Sequence, residues 1–166
     1  PFADASFDVV TSFNGIWKGC DEALVEARRV LTPDGTLGLT FWGRPERLGL
    51  LPYFAKVIEL SPPGHGEASL RQGDTGRTGV VEAMLTATGF RPREGGTVAV
   101  VNEWPDVDLA VRALAAAGPS VPAIEAVGFE SFCDALREVI EPLHVDGVGV
   151  RVCSVLGWVT AGVDVG

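Results

Sequence analysis

Phe7-Asp8-Val9-Val10-Thr11-Ser12-Phe13, the run from Asp21 to Leu31, and Thr36-Leu37-Gly38-Leu39-Thr40-Phe41-Trp42 together decide the fold. The first segment is rich in β-branched and aromatic residues and nearly continuously apolar, which predicts a central parallel strand covered on both faces. Asp21 is placed to cap a helix in which Ala23, Leu24, Ala27, Val30 and Leu31 recur at helical spacing, and Arg28 and Arg29 suit its negative C-terminal end. Thr32-Pro33-Asp34-Gly35 stops that helix, because proline lacks an amide donor and glycine accepts the positive φ of a tight turn. The third segment is then a second buried strand. Strand, helix and strand in so short a span form a βαβ unit and imply a parallel pair.

Beyond Trp42 the α/β alternation continues. The pattern predicts a helical piece over Leu51 to Leu60, a long glycine-rich loop over Ser61 to Thr78, and a helix capped by Thr78 and ended at Gly89. A third strand follows at Val98 to Val101, then two helical stretches, Val107 to Ala117 and Phe129 to Leu143, broken at Gly118 to Pro122. Leu109, Leu114, Phe132, Leu136 and Ile140 have the spacing of a packed core, and with Trp104 these helices form a lid or a packed subdomain. Gly149 to Thr160 closes the sheet as a fourth strand.

Composition narrows the function. With 166 residues, 46% of them hydrophobic, the chain can bury a real core as one domain, and no apolar run approaches the roughly 20 residues of a membrane span. A formal charge of −9 with only two lysines, Lys18 and Lys56, and dispersed arginines argues against nucleic acid, which requires a basic surface stripe. Cys20, Cys133 and Cys153 stand far apart, in no metal-binding or disulfide spacing, as expected of reduced thiols in the cytoplasm. No secretory signal is visible, and the first residue is Pro1 rather than Met, so an upstream part of the protein is expected.

Two motifs resemble one family. Pro1-Phe2-Ala3-Asp4-Ala5-Ser6-Phe7-Asp8-Val9-Val10 resembles the Leu-Pro-Phe-x-Asp-x-Ser-Phe-Asp-x-Val pattern of small-molecule class I methyltransferases, including those of ubiquinone and menaquinone biosynthesis. Glu26-Ala27-Arg28-Arg29-Val30-Leu31-Thr32-Pro33-Asp34-Gly35 is similar to that family's Glu-x-x-Arg-Val-Leu-Lys-Pro-Gly-Gly turn, with Asp34 replacing the first glycine. The resemblance is strong up to Trp42 and afterwards lies in the order of elements. It implies an α/β fold, a partial Rossmann-like methyltransferase sheet made of the latter strands of a seven-stranded sheet, whose last strand is antiparallel. Residues 1–166 are then the C-terminal part of a single domain, with a helical insertion at 106–145 before the last strand.

The same resemblance implies S-adenosylmethionine as cofactor, a small-molecule acceptor, and a site at the C-terminal ends of the parallel strands. Ser12, Phe13, Asn14 and Trp17 then face the methionyl part of the cofactor, and Phe2 follows the adenine-side segment. Asn14 can donate and accept, although Asn before Gly15 is equally the chemistry of a plain turn, and Phe2 equally a core anchor. Trp42, Gly43, Arg44 and Tyr53, after the second strand, are substrate-side candidates. Arg44 suits a carboxylate or phosphate, or a surface ion pair with Glu46 or Glu67. His65, in Pro-Pro-Gly-His-Gly, is the candidate general base for a hydroxyl acceptor, with an exposed loop histidine as the alternative; His144 reads as structural at a helix end. No metal is expected.

No G-x-G-x-x-G occurs in the chain, so the phosphate-side glycine turn and the ribose-binding acid are expected upstream of Pro1. The first strand would then present an open apolar edge, prone to self-association, and the chain alone would neither bind cofactor well nor turn over. Two other readings compete with a methyltransferase: a non-catalytic α/β fragment binding a partner through that edge, and a nucleotide-dependent oxidoreductase of similar architecture.

Overall fold

The computed structural model describes residues 2–65 and 73–164. β1 (Phe7–Phe13), α1 (Asp21–Val30) and β2 (Leu31–Trp42) form the expected βαβ unit, with β1 parallel to β2. They are followed by α2 (Leu51–Leu60), α3 (Val80–Ala87), β3 (Phe90–Trp104), α4 (Val107–Ala115), α5 (Val121–Val127), α6 (Phe129–Ile140), β4 (His144–Val145) and β5 (Gly149–Val163). The sheet runs β1-β2-β5-β3, with β4 paired to β5. The last strand is antiparallel to β2, so it enters the sheet beside a strand far from it in sequence.

The chain divides into two compact units, and the divisions fall inside β3 and β5. The first comprises residues 1–45, 71–98 and 155–166. Its core forms because alternate residues of paired strands share a face: Leu37 opposes Ala161 and Leu39 opposes Val159, all buried. Leu24 and Ala27 of α1, and Val81, Met84 and Leu85 of α3, complete that cluster with Phe90. Each such leucine or phenylalanine withdrawn from water contributes roughly 1.5–3 kcal/mol.

The second unit comprises residues 46–70 and 99–154, where α2, α4, α5 and α6 pack on one another. Phe132, Leu136 and Ile140 recur at four-residue spacing along α6 and are all fully buried. Asp106 caps α4, its side chain accepting from the Leu109 amide at 2.7 Å.

The structure departs from the sequence expectations at several points. β1 is parallel but lies at the end of the sheet rather than at its centre, with Val9 60% and Phe13 77% exposed; an apolar strand is covered only where a neighbour is present to cover it. Asp21 opens α1 as its first residue, and the cap position falls to Cys20, which makes no side-chain bond. Thr78 does not cap α3; Gly79, at φ 81°, does so by backbone shape, and the Thr78 hydroxyl is engaged by Arg44. The Thr32–Gly35 turn is absorbed into β2 as a bulge, since Phe7 pairs with Leu31 and Val9 already with Thr36.

The third strand is far longer than Val98 to Val101, because a glycine pair, Gly95-Gly96, lets it lie against Trp158. The Gly118 to Pro122 break is only one turn long, and α5 follows directly, proline being tolerated in a helix's first turn. Leu109 faces out at 41% exposure, while His144 does end a helix, capping the single turn Glu141–Leu143 that continues α6, and also opens β4. The loop expected over 61–78 lies in part, with Glu67, outside the described residues, while Gly73–Thr75 are helical. Among the described residues no single helix is long and apolar enough to cross a membrane.

Candidate functional site

The chemistry-bearing residues of the first unit gather where β1 and β2 end. Asn14 closes β1 in the left-handed region, at φ 53°, a conformation its short polar side chain tolerates. Its amide N–H donates to the Thr40 carbonyl at 2.9 Å and reaches the Thr40 hydroxyl at 3.2 Å. Having accepted that proton, the hydroxyl gives its own to Asn14 Oδ1 at 3.3 Å. The Asn14 carbonyl oxygen is therefore held by β2, and the two N–H bonds of Nδ2 have no partner among the described residues. Ser12, half-buried, lies close enough that a Cβ on Gly15 would meet its hydroxyl at 3.0 Å, so the bend is tight at this point.

A second layer comes from residues 73–78. The Lys18 amide donates to the hydroxyl of Thr75, which is 1% exposed, at 2.9 Å, and Lys18 Nζ approaches Asp74 at 3.8 Å. Arg77 bonds Asp74 at 2.8 Å; that bond, and then the field of Lys18, hold the Asp74 carboxyl below its ordinary range. Gly76 lies directly on the Trp42 and Gly43 carbonyls, leaving no room for a side chain. Gly43 is itself pinned, its N–H donating to Val155 at 3.1 Å, where a Cβ would strike the same carbonyl. Arg44 follows and donates to the Thr78 hydroxyl. Among the described residues it meets no carboxylate, Glu46 included.

Ser12, Phe13, Asn14, Trp17, Trp42, Gly43 and Arg44 thus share one end of the sheet, with Trp17 and Trp42 half-buried. The remaining candidates are placed within their own units. Tyr53 belongs to the helical unit and is 2% exposed, its hydroxyl 2.9 Å from that of Ser120, which in turn donates to the Leu114 carbonyl at 2.8 Å. Burial pushes the Tyr53 phenol up, so it is neutral and serves α2 packing. His65 is exposed, in the same unit, and its side chain makes no bond among the described residues. Phe2, 59% exposed, packs edge-on against Phe7 with ring centres 5.1 Å apart. No group of three or more His, Cys, Asp or Glu able to hold a metal occurs among the described residues.

The two family motifs also meet physically. Arg29 forms an ion pair with Asp4, bonds both oxygens of Glu26, at 2.8 and 2.6 Å, and donates to the Phe2 carbonyl at 2.9 Å. The Ala5 and Ser6 amides then donate to the Arg29 and Val30 carbonyls, so the first motif lies along the end of the second. Lys18, Thr40, Asp74, Thr75 and Thr78 were missed in the sequence. Thr40 carried a usable signal, a polar residue pairing in register one step from the end of β1; the 73–78 segment carried none, since its residues have no periodicity.

A parallel pair with its polar groups at the strands' C-terminal ends, an antiparallel last strand and flanking helices form a partial Rossmann-like sheet. The family model described as a methyltransferase domain matches residues 1–39. Among solved structures the chain is similar to the YcgJ protein of Bacillus subtilis (17% identity, TM-score 0.54, covering 100% of this chain and 68% of that one). It is similar also to a loganic acid methyltransferase with SAH (10%, 0.59, 98% and 63%) and to the [4+2]-cyclase SpnF (19%, 0.51, 100% and 53%). The chain therefore spans between about half and two thirds of the length of these structures. No curated protein matches it.

Proposed function

We propose that this chain is part of an S-adenosylmethionine-dependent methyltransferase that transfers a methyl group to an oxygen, nitrogen or carbon of a small-molecule acceptor. Fold alone does not choose the reaction, since a [4+2]-cyclase shares it. The observation that carries the reading is Asn14, whose orientation by Thr40 leaves a fixed pair of N–H donors at the sheet's ligand end. Those donors suit the carboxylate of an amino-acid tail, and Phe13 and Trp17 offer apolar surface that excludes water beside it. Ser12, Phe13, Asn14 and Trp17 are proposed to face the methionyl end of the cofactor, and Phe2 its adenine side.

When bound, the cofactor supplies an electrophilic methyl on a sulfonium. Residues of this chain then position and desolvate; where the acceptor is a hydroxyl, His65 is the group proposed to take its proton. The acidic composition, the separated cysteines and the acceptor size fit a cytoplasmic enzyme without a nucleic-acid or membrane partner. Calorimetric titration of the protein from its native source with S-adenosylmethionine should give saturable heat, reduced by Asn14→Ala; absence of heat and of any thermal shift overturns the proposal.

A second reading rests on the exposed end strand. Phe2, Phe7, Val9, Val10, Ile16 and Ala27 line an apolar hollow beside β1, the kind of surface through which a non-catalytic chain binds a partner or itself. Saturable cofactor binding and methylated product separate the two.

A further inference from the structure

Arg44 is a guanidinium on the ligand end of the sheet with only one described partner, the neutral hydroxyl of Thr78. Its backbone is held from both sides, by the Gly43 amide on Val155 and by Gly76 packed on the Gly43 carbonyl, so the side chain starts from a fixed point. Lys18 is brought to the same segment through its amide bond to Thr75. In a chain of net charge −9, two cations of this end, Lys18 and Arg77, meet the carboxylate of Asp74, and Arg44 bonds Thr78 of the same 73–78 segment. Asp74 already engages Lys18 and Arg77, which leaves Arg44 as the cation with no described counter-charge.

We infer that Arg44, supported by Lys18, binds the carboxylate of the small-molecule acceptor, which makes the acceptor an organic acid carrying one negative charge near its reacting atom. The inference deepens the methyltransferase reading and rests on it for the word acceptor alone. Inorganic phosphate is the competing anion for a guanidinium, and its affinity relative to a carboxylate is read in the same titration. A carboxylate matches the planar fork of a guanidinium, and the half-buried Trp17 and Trp42 supply apolar surface for an aromatic or aliphatic body.

The test needs no cofactor. Benzoate, benzamide and inorganic phosphate are titrated separately into the 15N-labelled 166-residue chain, observing the Arg44 side-chain N–H and the Trp17 and Trp42 indole resonances. Benzoate should shift all three; benzamide, its neutral isostere, should shift none, and phosphate should bind more weakly than benzoate. Arg44→Gln should weaken benzoate by about tenfold, Arg44→Lys by less, and Lys18→Gln by a smaller factor. Arg112→Gln, an exposed change in the other unit, should have no effect, and matched thermal midpoints confirm that each variant is folded. Equal shifts from benzamide, tighter binding of phosphate, or benzoate binding indifferent to Arg44→Gln each overturn the inference. Benzoate binding together with no S-adenosylmethionine response in the protein from its native source instead leaves the anion site standing and removes the methyltransferase reading.

Discussion

Arg29 shows how a surface residue can join two sequence motifs. Its guanidinium holds Glu26 within α1, Asp4 across the turn and the Phe2 carbonyl, so the segment before β1 is tied to the helix after it. Arg29→Ala should therefore lower the thermal midpoint and loosen residues 2–6 first, seen as faster amide exchange at Ala5 and Ser6. Arg29→Lys keeps the charge but not the fork, and should recover only part of the loss. The Arg29 bond lowers the Glu26 carboxyl below its ordinary 4.5. Its contribution is thus present above that value and disappears as pH falls through the lower folded value. Acid unfolding of Arg29→Ala and wild type should converge below pH 4.5, in the window where the pair is lost.

Thr40 acts through another residue. It pairs with Phe13 in the β1–β2 ladder, and its hydroxyl decides which end of the Asn14 amide faces out. Thr40→Val should leave the fold intact and reduce affinity for S-adenosylmethionine in the native protein by about fivefold, the worth of one ordinary hydrogen bond. Thr40→Ser should restore it. Equal affinity in all three forms makes the Asn14 turn a plain loop.

At the scale of elements, the segment 73–78 holds the site together without belonging to any periodic pattern. Gly76 sits on the Trp42 and Gly43 carbonyls, and neither backbone can retreat, since Gly43 is bonded to Val155. Gly76→Ala should cost about 1–3 kcal/mol in denaturant unfolding and displace Arg44 from Thr78, weakening benzoate binding in parallel. Phe132, fully buried on α6, gives a contrasting loss: Phe132→Ala should cost about 3–5 kcal/mol and leave benzoate binding alone.

What could be read in advance follows from the same distinction. The βαβ unit was legible because Phe7–Phe13 and Leu31–Trp42 carry local hydrophobic patterns, and α6 because Phe132, Leu136 and Ile140 keep helical spacing. The bulge at Thr32–Gly35 and the extent of β3 were hidden, since both depend on which strand lies alongside. Asn14 was legible as a turn residue at a strand end, while its orientation needed Thr40, twenty-six positions away, in register. The partner of Tyr53 was hidden for a related reason: Ser120, which meets its hydroxyl, lies sixty-seven positions away.

At the scale of the whole molecule, the open edge of β1 is expected to govern how the 166-residue chain associates in solution. β1 pairs only with β2, leaving one row of backbone donors and acceptors without a described partner, and Val9 and Phe13 project at 60% and 77% exposure. Opposing this is a net charge of −9, which makes two copies repel at neutral pH and low salt. The two effects have opposite salt dependence. Added salt screens the repulsion and leaves the apolar contact, so association of the 166-residue chain should strengthen with ionic strength, whereas an interface held by ion pairs would weaken. Lowering pH toward the isoelectric value of about 4.6 should act in the same direction as salt, because it removes the same repulsion. Val9→Lys and Phe13→Lys each put a charge on the edge, the device natural sheets use against such pairing, and should return the chain to monomer by sedimentation velocity. Both residues are exposed, so neither change should lower the unfolding midpoint. Association that persists in both variants would place the contact away from β1, and would remove the support that this edge gives to partner binding.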